Sequence, residues 1–381
     1  MIEMKKQILI SVVLISGMLV GCKSSTDNRN DDGVQSYVVE NLASKSDSIG
    51  EVFSRVEPIV LEANDSCFVT WLADTDCLGD TILTFDRKSR ALYVFDPDGR
   101  FVRQIGKPGT GPEEYLTATG FALNRAKRMV SVICPMGYLY NYNLEGKFID
   151  KIGLPKRPNY HHAQWLDGKT LALWSYVDEK EPSITVFDQE NDSVIYEGEF
   201  DVREAGSLSA TPLFNDGGRV YCGSPFNNEI KEVGIDGVKL AYFVDLGKVT
   251  NDSCYFENLS KLTDAKERTT TFKKDMAAGM FNYEKFLTLA NQDYLYLWLR
   301  TNPGTPEARL LSVFINKNDG SSTVIDNTPD GMRFSPIYMN DEYMLAEVDL
   351  DFIDAFSEVF GWNLNVTEDD NSVLAKMYFK K

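Results

Sequence analysis

The stretch "YVFDPDGRFVRQIGKPGTGPEEY" (93–115) decides how the chain is read. It runs as a strand, a tight turn, a second strand and a glycine–proline loop. Its first part returns as "YNYNLEGKFIDKIG" (140–153), with Tyr93 over Tyr140, Gly99 over Gly146, Phe101 over Phe148, Ile105 over Ile152 and Gly106 over Gly153, all at an offset of 47 residues. Phe187-Asp188 follows Phe95-Asp96 by 92 residues, and Gly237 follows Gly146 by 91, so the spacing holds for four units. Asp-Gly or Glu-Gly between two alternating apolar runs is hairpin chemistry, because glycine takes positive φ without strain.

A repeat in the mid-forties built from antiparallel strands predicts a β-propeller of four-stranded blades. The rival is a β-sandwich with coincidentally spaced hairpins, which the five identities at one offset disfavour. The units are expected at about 68–115, 116–158, 159–203, 204–250 and 283–328. The last combines 334–348, the C-terminal 372–381 and a strand from 54–63, so that the two ends of the chain close the ring. Two stretches break the pattern as helical insertions. One is 259–280, with Phe272, Met276 and Met280 in a stripe. The other is 351–362, with Asp351 and Asp354 at its start, Phe352, Phe356, Val359 and Phe360 on one face, and Gly361 as its stop.

The loop "GKPGTGPEEY" is not a phosphate cradle. Lys107 precedes the glycines, no Ser or Thr follows a Gly-Lys pair, Pro108 and Pro112 remove two N–H donors, and Glu113 and Glu114 repel phosphate. It suits a rigid crossing from one blade to the next. Here the chain resembles bacterial six-bladed β-propeller lipoproteins, in which a hairpin ending in Ile-Gly precedes a Gly-x-Gly-Pro-Gly-Glu-Tyr-like loop. Gly109, Gly111, Pro112, Glu114 and Tyr115 fit that pattern, while Glu113 stands where glycine is usual. "VIDNTPDGMRFSP" (324–336) and the ending "TEDDNSVLAKMYFKK", with Ser372 where proline is common, fit it too. The resemblance implies six blades and no particular reaction.

The N-terminus carries an address. Lys5 and Lys6, an apolar run from Ile8 to Val20 and Gly21-Cys22 form a secretory signal pattern. Leu19-Val20-Gly21-Cys22 resembles the bacterial lipobox, which implies lipidation of Cys22, and Lys23 after it implies the outer membrane, either face. A signal anchor retained in the membrane is the alternative, but the run is short for a span. The expected organisation is a signal peptide at 1–21, a flexible lipidated tether at 22–50 and a propeller at 51–381. Without residues 1–21 the chain has 56 acidic and 37 basic side chains, a net charge of −19 against −18 for the whole. That balance excludes a nucleic-acid surface, which needs clustered Lys and Arg.

The five remaining cysteines, Cys67, Cys77, Cys134, Cys222 and Cys254, cannot all pair, and no C-x-x-C occurs. Cys67–Cys77 could close a hairpin; buried single thiols are the preferred reading. His161 and His162 would point to opposite faces of a strand and are read as a surface turn. Acidic pairs such as Glu113-Glu114, Asp369-Asp370 and Asp349/Asp351 read as solvated surface. Trp165, Trp174, Tyr294, Tyr296 and Trp298, with Tyr138, Tyr140 and Tyr142, read as packing between blades before they read as a sugar platform. No catalytic, metal-binding or ligand-binding residue is named from sequence, and no cofactor is predicted.

The expected function is an envelope-anchored module that binds a small molecule, a glycan or a protein partner. Its alternatives are a calcium-dependent propeller enzyme, lactonase-like or glycan-acting, and an accessory subunit of a membrane assembly.

Overall fold

In a computed structural model, the described residues are 33–381 apart from 43, 156–158, 176–183, 199–212, 253, 328–331 and 368–369. The expected signal peptide and Cys22 therefore lie outside them. The repeated hairpin forms as read. Strands β5 (Ala91–Phe95) and β6 (Phe101–Ile105) pair antiparallel, as do β9 (Tyr138–Asn143) and β10 (Phe148–Gly153). Asp96 accepts from the N–H groups of Asp98 and Arg100, and Gly99 sits at φ 82°. A side chain at Gly99 is doubly excluded, because its Cβ would lie 2.4 Å from the Val60 carbonyl oxygen.

Six antiparallel sheets result. The first comprises β3 (Leu72–Leu78), β4 (Thr81–Asp86), β5 and β6; the second β7 (Gly120–Asn124), β8 (Met129–Cys134), β9 and β10. The third holds β11 (Tyr160–Trp165), β12 (Thr170–Ser175), β13 (Ile184–Asp188) and β14 (Ser193–Gly198). The fourth holds β15 (Leu213–Asn215), β16 (Val220–Gly223), β17 (Glu229–Gly234) and β18 (Gly237–Asp245). The fifth holds β19 (Tyr283–Ala290), β20 (Tyr294–Thr301), β21 (Arg309–Asn316) and β22 (Ser322–Asp326). The last is β23 (Phe334–Met339), β24 (Tyr343–Val348), β25 (Val373–Phe379) and β2 (Phe53–Val60), so the two ends of the chain do share a blade. The first strands β3, β7, β11, β15, β19 and β23 abut in turn and return to β3, which closes a six-bladed ring and leaves them around its axis.

Aliphatic and aromatic side chains fill the wedges between blades, so most of the aromatic candidates are core. Tyr296, Tyr142, Tyr140, Trp165 and Trp174 are buried, and only Tyr138 of that set is exposed. Cys67, Cys77, Cys134 and Cys222 are buried free thiols and Cys254 is an exposed one, so the 67–77 pairing does not form.

Three differences from the sequence reading have physical causes. First, the packed chain starts before residue 51. Strand β1 (Gln35–Val38) lies parallel to β18 as a fifth strand, because Tyr37, Val39 and Leu42 bury their side chains beside Tyr242 and Val244. The chain then crosses the edge of the fifth blade, where Asp47 N–H donates to the Val324 carbonyl (2.6 Å) and the Asp47 carboxylate accepts from Val324 N–H (2.8 Å).

Second, the insertion at 259–280 is two helices, α1 (Tyr255–Ser260) and α2 (Ala265–Ala277). Asp264 caps α2 by accepting from Glu267 N–H, which starts a new helix. Phe272 is buried in a small cluster with Phe226, Leu259 and Phe281, but Met280 falls beyond the helix and is 59% exposed. Third, α3 (Ile353–Phe360) begins after a 3₁₀ turn capped by Asp349, and Ile353 with Phe356 buries in place of Val359, which is 58% exposed. Gly361 ends it as read.

Candidate functional site: an axial cavity

The innermost strands enclose a cavity of about 330 Å³ on the ring axis, lined from all six blades. Four of those strands carry a register shift at the cavity: between Leu72 and Asp74, Tyr160 and His162, Lys285 and Leu287, and Pro336 and Tyr338. A bulge inserts one unpaired residue and re-aims its neighbours. The inserted residues Ala73, His161, Phe286 and Ile337 all line the cavity.

This overturns the surface-turn reading of the histidine pair. His161 and His162 lie on β11 and both line the axis, because the bulge between Tyr160 and His162 breaks the strict alternation that would have sent one of them away. Burial, then the neighbouring His161 and the charge of Arg87, pushes the His162 imidazole down to about 3; burial and Arg87 lower His161 as well. Both are neutral at pH 7, each with one donor and one acceptor nitrogen.

Asp74 faces the same space from β3. Burial raises its carboxyl to about 7, opposed by the charge of Arg87 and by the Phe121 N–H. It can sit there because residue 120 is glycine: a Cβ at Gly120 would fall 1.9 Å from Asp74 Oδ2. Two residues further along β3, Asp76 is engaged at 2.5 Å by Arg125, and it also accepts from Cys77 N–H. Glu347 enters from β24; burial raises its carboxyl while a 2.6 Å bond from the Ser372 hydroxyl opposes the shift. Ser372 is the position where the resembled family commonly has proline, so this contact depends on that departure.

The rest of the wall is amide and ring. Asn215 donates to Gln164 across two blades at 3.1 Å. Trp298 and Phe286 stand 5.3 Å apart, and the Trp298 indole N–H is buried with no hydrogen-bond partner among the described residues. At the mouth, Trp71 is 58% exposed with the Arg87 guanidinium 5.0 Å from its ring centre. No three His, Cys, Asp or Glu side chains among the described residues stand close enough to share a metal ion.

The structural loop singled out in the sequence is elsewhere and is self-filled. Glu114 accepts from Gly111 N–H at 2.9 Å and pairs with Lys107 at 2.9 Å, while Gly109 N–H bonds the Tyr115 carbonyl. The Glu114 carboxylate lies where a Cβ on Gly109 would be, at 1.9 Å, so it occupies the space an anion would need. Tyr115 is wholly buried and donates to the Arg90 carbonyl, and Tyr142 donates to the Glu113 carbonyl. Pro112 lies within the turn that carries Glu114. The glutamate at 113 in place of glycine is accommodated because only its carbonyl is used here. Of the acidic pairs, Asp349 caps a turn and Asp370 accepts from Thr367; Asp369 lies outside the described residues.

A family model described as Domain of unknown function (DUF4934) matches residues 37–378. The chain belongs to this family. Among solved structures, this chain is similar to a protein described as exported from Bacteroides fragilis NCTC 9343, at 20% identity and TM-score 0.69, covering 91% of this chain and 99% of that one. It is also similar to a member of the DUF4221 family from Bacteroides vulgatus ATCC 8482, at 11% identity and TM-score 0.55, covering 86% and 98%. At these identities the likeness shows the fold. Comparison with curated proteins finds no match.

Proposed function

We propose that this DUF4934 chain is an exported lipoprotein, anchored through Cys22 to the outer membrane, whose propeller binds a small polar ligand in the axial cavity. The observation that carries the binding half is the bulging of four inner strands at one place on the axis. Bulges interrupt ladder hydrogen bonds, so four of them aimed at one volume serve the side chains they present. The address half rests on the lipobox-like segment, and the Bacteroides fragilis neighbour is itself described as exported.

The binding half is tested by equilibrium titration of small-molecule probes against the chain and its Asp74→Asn variant, which is expected to bind more weakly. Saturable binding indifferent to axial substitutions would refute it. The address half is tested by fractionation: Cys22→Ala is expected to leave the membrane fraction and lose incorporated fatty acid.

A second reading, proton transfer at the same cavity, is favoured by one observation: the Asp74 carboxyl, raised to about 7, lines the same cavity as the neutral His161 and His162. A group titrating near neutrality is what acid–base chemistry uses. Turnover of a bound probe, lost in Asp74→Asn, would establish it.

A further inference from the structure

We propose that the axial ligand is a neutral, hydroxyl-rich molecule the size of one sugar ring, held by hydroxyl groups on Asp74 and by an apolar face against Trp298. This deepens the binding reading and rests on it.

The cavity lining carries both signs of charge, so a ligand of either net charge meets a like charge in it. A cation would meet the field of Arg87, which already acts on Asp74, His161 and His162. An anion would meet the carboxyls of Asp74, Asp76 and Glu347, and the guanidinium of Arg125 is committed to Asp76. A neutral ligand meets neither penalty.

Its hydroxyls answer specific needs. A buried carboxylate is stable when two or three donors reach it. Asp74 receives the Phe121 N–H and lines the cavity, where burial raises its carboxyl. Two adjacent hydroxyls would supply those donors. His161 and His162, both neutral at pH 7, line the same wall and add no charge to it. The Trp298 N–H, buried and unpartnered, is a further donor at the cavity wall. Its ring, with Phe286 beside it, offers an apolar surface of the kind that covers the C–H face of a sugar. A volume of about 330 Å³ lies at the low end of ligand pockets and suits one ring rather than a chain.

The test is isothermal titration of the full chain in detergent with D-glucose, D-galactose and D-mannose against D-glucosamine and D-glucuronic acid. Saturable binding of at least one neutral sugar is expected, with a proton released near pH 7 as hydroxyl donors favour the ionised form of Asp74. Losing hydrogen bonds to a charged group should make Asp74→Asn about tenfold weaker and abolish the proton release. Trp298→Phe keeps a smaller aromatic face and loses the N–H, and should be weaker by a smaller factor with proton release intact. Thermal melts confirm that each variant folds.

Tighter binding of glucosamine or glucuronic acid, abolished by Asp74→Asn, would overturn the ligand class and leave the axial site standing. Neutral-sugar binding untouched by both variants would overturn the axial site. No binding of any probe overturns the sugar assignment.

Discussion

On one face of the ring, the turns that follow the innermost strands are closed by their own side chains. Asn124, Asp167, Asp216, Asn291 and Asn340 each accept from backbone N–H groups two or three residues on. Several also reach the next blade: Asn124 donates to the Gly168 carbonyl, Asn291 to the Asn340 carbonyl, and Arg125 pairs with Asp76. The opposite face carries the blade-to-blade crossings and second-to-third-strand connections, and with them α1, α2, α3, the glycine–proline loop and the rim of Trp71 and Arg87. The same strands thus feed a stitched face and an elaborated face. The first holds the ring in register, and the second is free to present chemistry because it does not.

The largest effects should come from breaking the stitching between blades and from emptying the core under α3. Arg125→Ala strands Asp76 without its counter-ion, and since Arg125 is partly exposed the expected cost is about 3 kcal/mol, at the low end for a buried pair. Urea unfolding would measure it. Phe356→Ala tests whether α3 belongs to the core despite its place on the elaborated face. Phe356 is fully buried beside Trp362, whose indole donates to the Val56 carbonyl, so a loss of about 3–5 kcal/mol is expected. A loss near zero would make the helix an appendage. Asn340→Ala removes one Asx closure, with bonds to Glu342 and Tyr343, and should cost about 1–2 kcal/mol, by analogy with a lost helix cap. Arg87→Ala, on the rim, should change stability by less than about 0.5 kcal/mol.

The cavity adds a pH signature. Asp74 titrates higher in the fold than in the unfolded chain, so the fold binds the extra proton and this contribution, full below about pH 4, is lost as pH rises towards 7. His162 titrates lower in the fold, at about 3, so its contribution is present above the unfolded value and is lost as pH falls through the range from about 6.5 to 3. Over pH 4 to 6.5 the two slopes, about 1.4 kcal/mol per pH unit each, oppose one another. Stability of His162→Gln should therefore fall as pH rises through that window, and stability of Asp74→Asn should rise. Parallel profiles for the two variants would show that the groups do not titrate as the cavity dictates.

How much of this was legible follows the same division. The hairpin repeat was readable because Gly99 and Gly146 recur with the residues around them. The Asx closures left a signal of the same kind, an Asn or Asp just after the innermost strand in five of the six blades. The axis left none. Asp74 became a site residue through Gly120 on another blade, His161 through a bulge, and Glu347 through a serine near the C-terminus. None of these relations has a fixed spacing in the chain. The loop that looked most like a site, Gly109 to Tyr115, is filled by its own glutamate.

The most direct measurement is the ¹⁵N indole spectrum of the chain, whose five tryptophans sample the rim, the axis and the core. During titration with the best-binding probe, Trp71 and Trp298 are predicted to shift together, while Trp362, bonded to the Val56 carbonyl, stays in place. A probe that saturates without moving Trp298 would contradict the axial site.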